Sequence, residues 1–459
     1  MEPFITNDAV VFGILMLVLA FVFTTAAKEE GFWKRFYSLV PTLLMCYLIP
    51  ALLAWPLGLI GYSWYDYEAL SQAVTAAGFD APPIASVTET NLWLAEQGLD
   101  SGDFGGFMEK TSLYFMASRY LLPAALVLLC LSIDFKSFLK LGPKALTMFF
   151  AATVGIVIGG PIALLTTTYL FPDLITIPAE ELPGGLATIA GSWIGGSANQ
   201  TAMKEVYEVE TGLFGQMVVV DIIVANLWLA VLLYLASRTE KVNRWLRADD
   251  SSIEELKKRV EAYAASVKRM PTTTDAFQML GVTFGAVGLA HFLSDLMVQV
   301  FEPHKEALDA ARLQTLYNGF FWLVVIATTV GLILSFTKLR RMEGVGASRW
   351  GTVCIYVLVA TIGMRMNIGD ILSNLGLFVV GIIWMAIHVA ILLIVAYLTK
   401  SPYFFVAVGS QANVGGAASA PVVASYFSPA LAPVGVLMAV VGYAVGTYGA
   451  LLCAYLMGA

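Results

Sequence analysis

An all-α protein that passes through a membrane many times is the fold class this sequence predicts. Three observations predict it: a composition too apolar for a water-facing surface, apolar runs of membrane length from end to end, and two glycine-rich polar stretches that interrupt matching runs. The 459 residues are 58% hydrophobic and 13% charged, with mean hydropathy +0.77, whereas soluble domains carry about 25% charged residues. So apolar a chain has no means of covering a soluble surface and belongs in a bilayer. The formal net charge of −7 comes with no basic tail or arm, which argues against a nucleic-acid partner. Cys46, Cys130, Cys354 and Cys453 all fall in apolar runs without CxxC spacing and read as small core residues.

Apolar segments run near 9–27, 36–60, 112–133, 145–171, 184–208, 213–236, 276–300, 315–336, 350–366, 374–399, 402–425 and 431–457. The first lacks a basic n-region and an A-x-A site, so it reads as a membrane helix rather than a cleaved signal. Two polar pieces interrupt the series. One is 61–111, rich in acids and aromatics. The other is 237–274, where "SSIEELKKRVEAY" has the [ST]-x-x-E start of a capped surface helix.

The two halves of the chain look like copies. "TNDAVVFG" at residue 6 resembles "TTDAFQML" at 273, Gly195-Gly196 pairs with Gly415-Gly416, and "MVVVDIIVANLWLAVLLYL" from Met217 aligns without a gap with "MAVVGYAVGTYGALLCAYL" from Met438. Charge then tests the topology. Lys and Arg cluster in 28–35, 136–144, 237–274 and 338–349, all of which the positive-inside rule assigns to the cytoplasm. If every apolar segment crosses, that assignment fails. If "GSWIGGSANQTA" (191–202) and "GSQANVGGAASAP" (409–421) instead form the tips of re-entrant hairpins, every basic cluster lies inside, and 61–111 and 172–183 lie outside.

This parse predicts two inverted repeats, each of five membrane-crossing helices plus one glycine-rich re-entrant hairpin, an arrangement typical of secondary transporters. The first repeat is 1–236 with the extracytoplasmic insertion 61–111, the cytoplasmic linker is 237–274, and the second repeat is 275–459. Irregular backbone survives at membrane depth only where protein or a wet cavity satisfies it. Two alternatives stand beside the hairpin: glycines that merely pack helices, and a broken helix that still crosses.

The motifs "SIDFKSFLKLGPKAL" (132–146), "GIVIGGPIALL" (155–165), "AGSWIGGSANQTAMKE" (190–205) and "GSQANVGGAASAPVVA" (409–424) carry a resemblance. The chain resembles the YjcL-like family of bacterial and plant membrane proteins, and that family looks related to the cation/proton antiporter and anion-transporter superfamily. The resemblance implies a mobile, elevator-like core against a dimerising scaffold, hence a homodimer in the inner (plasma) membrane. It implies no substrate, and it leaves 61–111 without a role.

Among single residues, Asp221 stands out as a carboxylate inside an apolar helix, which is a functional candidate by default. It is a candidate for holding Na⁺ or H⁺, or for pairing a buried base, and its repeat-mate is Gly442. Ser197, Asn199, Gln200 and Thr201 at the first tip, and Ser410, Gln411, Asn413 and Ser419 at the second, are the candidate substrate-binding group. Asp221, Asn199, Asn413, Asn226 and Thr447 are the candidate coupling residues, with Asp221, Asn199 and Asn413 as Na⁺ ligands. Each of these polar residues has a plainer reading as helix packing. His291 and Asp295 share a helix face and read as structural, and Arg365 reads as snorkelling or pairing with Asp370.

No P-loop, Ser-His-Asp set, HExxH or haem signature appears, so neither an enzyme nor a cofactor is expected. The expected function is a secondary active transporter that couples a small organic solute (organic acid, amino acid or peptide-like) to Na⁺ or H⁺. A cation/proton antiporter using Asp221 is the alternative, weakened by Val220 where such antiporters carry a second polar residue.

Overall fold

The structure is a computed structural model that describes residues 3–37, 40, 42–82, 87–100, 102–133, 138–248, 253, 272–310, 314–366, 374, 376–428 and 431–459. With no water in a hydrocarbon layer, each backbone N–H and C=O has to be paired within its own segment. The apolar runs accordingly wind into helices. Among the described residues, seven are long and apolar enough to cross a membrane, or up to nine if each of two bent pairs is one span. The chain is thus an all-α polytopic membrane protein. The surface helix expected at "SSIEELKKRVEAY" lies outside the described residues.

The chain divides into two compact units, Met1–Arg119 with Tyr356–Gly369 and Tyr120–Ile355 with Asp370–Ala459. The first unit opens with α1 (Asp8–Ala26), capped by Asn7, whose side chain accepts from the amides of Ala9 and Val10. Then come α2 (Gly31–Tyr37) and α3 (Thr42–Ala54). The 61–111 insertion is a folded module. Strand β1 (Ser63–Tyr65) pairs antiparallel with β2 (Met108–Lys110), and α4 (Tyr67–Ala76) and α5 (Val87–Glu96) lie between them in sequence. Tyr65, Leu70, Val74, Leu94 and Phe104 give the module a core of its own. Arg365 neither snorkels freely nor hangs in apolar space: its guanidinium lies 4.2 Å from the ring centroids of both Tyr62 and Tyr114. Asp370, its expected partner, lies outside the described residues.

The remaining helices are α6 (Leu113–Leu131), α7 (Pro143–Leu170), α8 (Leu182–Val206), α9 (Thr211–Ala236), α10 (Thr239–Leu246), α11 (Thr273–Phe301), α12 (Gly319–Ser335), α13 (Ala347–Gly363), α14 (Gly376–Thr399), α15 (Tyr403–Val414), α16 (Gly416–Phe427) and α17 (Ala432–Met457). The boundary between the units falls inside α6 and α13. In the second unit α14 packs along α7, where a β-carbon at Gly159 would lie 2.7 Å from Cδ1 of Trp384, so the glycine makes room for the indole.

Two helices are broken where the glycine pairs stand. Gly196, inside α8, has φ 75° and ψ −172°, a region essentially reserved for glycine. Gly416, with φ 59°, begins α16 directly after α15. Both breaks turn the chain back on itself. In a straight helix Gly184 and Tyr207 would stand roughly 35 Å apart, yet a β-carbon on Gly184 would lie 3.3 Å from Cβ of Tyr207. Nearer the break, a β-carbon on Gly191 would lie 2.7 Å from the Asn199 carbonyl oxygen. In the second pair, the rings of Phe404 and Phe427 are 5.3 Å apart, and Gln411 Nε2 donates to Ser419 Oγ at 2.7 Å. Each break therefore joins two arms that lie side by side, a helical hairpin. A kinked helix that runs straight on is incompatible with these contacts.

The tips of both hairpins rest on α17, whose Gly435, Gly442, Gly446 and Gly449 recur on one face. A β-carbon at Gly446 would lie 2.5 Å from the Cα of Gly195 and 2.7 Å from Nδ2 of Asn199. Backbone cannot yield cheaply there, so Gly446→Val should cost about 1–3 kcal/mol by overpacking. Gly105, in the insertion, has nothing within 4 Å of such a carbon, and Gly105→Val serves as the control. Thermal unfolding of the two variants in detergent should show a clear loss for the first and little change for the second.

Candidate functional site

The first tip is built around one carboxylate. Helix α9 starts cleanly because Glu210 caps it, its carboxylate accepting from the amides of Gly212 and Leu213. Its interior turns carry Asp221 into the core, where it is 4% exposed. Three neutral donors close on it from the folded-back α8. Ser192 Oγ donates to Oδ2 at 2.6 Å, Trp193 Nε1 to Oδ1 at 2.7 Å, and Gln200 Nε2 to Oδ2 at 3.1 Å. Ser192 and Trp193 come from the arm before Gly196 and Gln200 from the arm after it, so only the fold-back lets them share one acceptor. Among the described residues no Lys, Arg or His lies within salt-bridge distance of Asp221, and the one ion pair is Lys204 with its neighbour Glu205, at 3.3 Å. A structural salt bridge at Asp221 is thus absent from the described residues.

The other residues singled out at this tip take different places. Asn199 is fully buried and satisfied: its Nδ2 donates to the carbonyls of Gly195 and Tyr443, and its Oδ1 accepts from Thr447 Oγ1 at 2.5 Å. Thr447 is buried as well and lies 3.2 Å from Thr328 Oγ1. Thr201 Oγ1 donates to the Ser197 carbonyl at 2.5 Å, and Ser197 is half-buried beside the break. Asn226 differs from the expectation. It is exposed, and its amide donates to the Ile222 carbonyl one turn back. Five residues from Asp221 turn it about 140° around α9, away from the carboxylate.

The second tip has a different chemistry. Ser410 Oγ lies 2.8 Å from both Trp228 Nε1 and His388 Nε2, and His388 Nδ1 lies 3.1 Å from the Ala152 carbonyl. Trp228, a donor only, fixes one role: Ser410 accepts from it. Gln411 is 2% exposed and is held through its Nε2 by Ser419. Asn413 is fully buried; its Oδ1 accepts from Thr153, and its Nδ2 donates to the carbonyls of Phe149 and Gly409.

The tips meet at Gly442. A β-carbon there would lie 2.7 Å from the Ile194 carbonyl oxygen and 3.5 Å from that of Ala412. Asn199 is strapped to α17 and Asn413 to α7, and each amide oxygen accepts one hydroxyl hydrogen bond. Among the described residues no group of three or more His, Cys, Asp and Glu could hold a metal ion.

Several partners escaped the sequence reading: Ser192, Trp193, Trp228, Thr153 and Thr328. Ser192 stood inside the polar stretch itself. For the two tryptophans the available signal was chemical, since a buried indole N–H needs an acceptor. Lys204 is 4% exposed, and its ammonium lies 5.8 Å from the ring centroid of Phe214. Asp295 is exposed, and the His291 ring lies 5.9 Å from that of Tyr120.

With this geometry in hand, comparison with known proteins adds two findings. The chain is 24% identical over 343 residues to "Uncharacterized membrane protein YjcL" of Bacillus subtilis (strain 168), covering 74% of this chain and 82% of that one. A family model described as "Protein of unknown function (DUF819)" matches residues 102–459. That stretch includes both hairpins and all the residues around Asp221, and on that match the chain belongs to the DUF819 family.

Proposed function

We propose that this protein is a secondary active transporter of the inner (plasma) membrane, moving a small organic solute with Na⁺ or H⁺ by alternating access. The observation that carries the reading is a repeated hairpin. One offset along the chain relates Gly196 to Gly416 at the breaks, Gly191 and Asn199 to Gln411 and Ser419 in mid-arm, and Gly184 and Tyr207 to Phe404 and Phe427 at the roots. Three levels of contact repeated at one offset support an internal duplication. Paired breaks in corresponding segments are what transporters use to line a midplane site.

In this reading α1, the α2–α3 pair, α6, α7 and α9 cross in the first repeat. Helices α11, α12, α13, α14 and α17 cross in the second, inverted repeat. The hairpins enter and leave on one face each. Helices α7, α9, α14 and α17 with the hairpins form the moving core, and the earlier helices of each repeat form the scaffold. The leading helices suit contact with lipid or a second copy. Only 28% of the best window of α1, and of the helical stretch beginning at Thr273, is buried. Gly281, Gly285 and Gly288 on α11 face open space and suit close packing in a homodimer.

Asp221 is the coupling site of this scheme. A lone buried carboxylate costs several kcal/mol unless its charge is used or paired, and its shell of neutral donors stabilises the anion without cancelling it. The same feature favours the second reading, a cation/proton antiporter with Asp221 as the exchanging group. Proteoliposomes loaded with a pH dye distinguish the two: solute-independent proton flux against a cation gradient indicates exchange, and solute-dependent flux indicates symport.

Three outcomes are expected. Asp221→Asn should lower ion-driven uptake about tenfold or more per folded protein, because the amide carries no charge to bind or exchange a cation. It should also lower the unfolding temperature, because an acceptor oxygen is replaced by a donor facing Ser192, Trp193 or Gln200. Wild-type uptake rates would remove Asp221 from the mechanism. In a cysteine-free background, a single cysteine at exposed Arg244 should label from the cytoplasm, and cysteines at Glu96 and Asp173 from the outside. Labelling of Arg244→Cys from outside would contradict the hairpin topology.

The third outcome concerns the seam between core and scaffold. Thr329 Oγ1 of α12 and Tyr448 Oη of α17 are 2.7 Å apart. If α17 slides against α12, bridging Thr329→Cys/Tyr448→Cys with a short bis-methanethiosulfonate should stop uptake, and reduction should restore it. Full uptake in the cross-linked form would rule out sliding at this seam.

A further inference from the structure

The carbonyl oxygens of Gln200 and Gln411, one beside each hairpin tip, are buried and lack a hydrogen-bond partner among the described residues. Their residues are 0% and 2% exposed. An orphaned buried acceptor is destabilising, and each one needs a reason. The orientation of Gln200 is dictated by chemistry. Its Nε2 faces Asp221 Oδ2 at 3.1 Å, and an ionised carboxylate only accepts, so Oε1 has to be the end left without a partner.

The site therefore offers acceptors and a negative charge, and it is short of donors. An anionic solute would bring like charge against Asp221, whose shell holds no cation. A hard metal ion is a poor match too, since such ions favour shells of about six or more oxygens. The amide oxygens of Asn199 and Asn413 each already accept one hydrogen bond, from Thr447 and Thr153. Around the carboxylate, Ser192, Trp193 and Gln200 all point hydrogens inward. An ammonium group needs only three acceptors for its three N–H bonds, which is closer to the free supply.

At the start of α9, the helix of Asp221, lies a cavity of about 310 Å³, whose described lining residues include Glu181, Glu210, Gln216, Thr176 and Asn374 and no Lys, Arg or His.

We propose that the transported solute is a primary amine, such as an amino acid or small peptide. Its ammonium group lodges between Asp221 and the Gln200 carbonyl oxygen. Gln411 Oε1 accepts from a further N–H of the same solute. This deepens the transporter reading and rests on its assignment of the tips as the solute site.

The test is thermal unfolding of the purified full-length protein in nanodiscs with matched probes. L-alaninamide and L-alanyl-L-alaninamide carry an ammonium without a carboxylate. N-acetyl-L-alanine and N-acetyl-L-alanyl-L-alanine carry the reverse. A ligand of the native state raises the unfolding temperature by mass action. The amines should raise it and the acetylated acids should not, and Gln411→Leu, which leaves the Asp221 shell whole, should weaken the response about tenfold. Gln200→Leu should weaken it at least as much if it folds.

Equal stabilisation by the acetylated acids, or no response to any of the amines, overturns the proposal. So does stabilisation by NaCl over KCl, without amine, that disappears in Gln411→Leu, because it assigns the free oxygen to a metal ion. Uptake assays separate this from the broader reading. Amines that bind but are never taken up by proteoliposomes leave the ammonium site standing and remove transport. Uptake of an acetylated acid with inert amines does the opposite.

Discussion

The constraint on which the rest of the structure depends is a single carboxylate that accepts hydrogen bonds from both arms of one hairpin. Asp221 takes Ser192 and Trp193 from one side of the Gly196 break and Gln200 from the other. Hydrogen bonds to a charged group contribute about 1.5–3 kcal/mol each, and at 4% exposure Asp221 relies on the protein's own donors. Straightening α8 would strip the carboxylate of at least one donor and expose the arms' facing surfaces. The break, the fold-back and the buried charge are thus one cooperative arrangement.

Two kinds of device hold the tips in place. Amide straps tie each hairpin to a different helix, Asn199 to α17 and Asn413 to α7. The glycine face of α17 lets carbonyls from both tips approach the same point at Gly442. Straps give partners to polar groups buried at the tips, and glycines remove the side chains that would keep the tips apart. The consequence is a junction rich in carbonyl oxygens and poor in donors, which gives the unpartnered oxygens of Gln200 and Gln411 their significance.

Much of this was legible in the sequence. Two glycine pairs inside polar stretches marked both breaks, because a positive φ leaves glycine as the residue that fits. An acid within "VVVDIIVAN" marked Asp221, because apolar neighbours exclude a solvated role. What was not legible is rotation about a helix axis and the identity of partners. Asn226 and Thr447 align as repeat-mates, yet one is exposed and the other buried. Asn226 bonds its own helix, whereas Thr447 meets Thr328 and Asn199, so the same helical position faces different surroundings. Trp193 and Trp228 looked like ordinary apolar bulk, since nothing local reveals where an indole N–H will point. The insertion's fold was hidden for another reason: its core is assembled from residues spread over some forty positions without a sustained period.

Asp221 and Gly442 occupy aligned positions in the sequence, and the structure gives them different tasks. The carboxylate accepts from Ser192, Trp193 and Gln200 and so holds both arms of the first hairpin. The glycine clears the space that Ile194 and Ala412 occupy with their carbonyls. A side chain of any size there would push against both tips. An acid at 442 would also face carbonyl oxygens that offer an ionised carboxylate no hydrogen, so the charge sits on one of these helices and the room on the other.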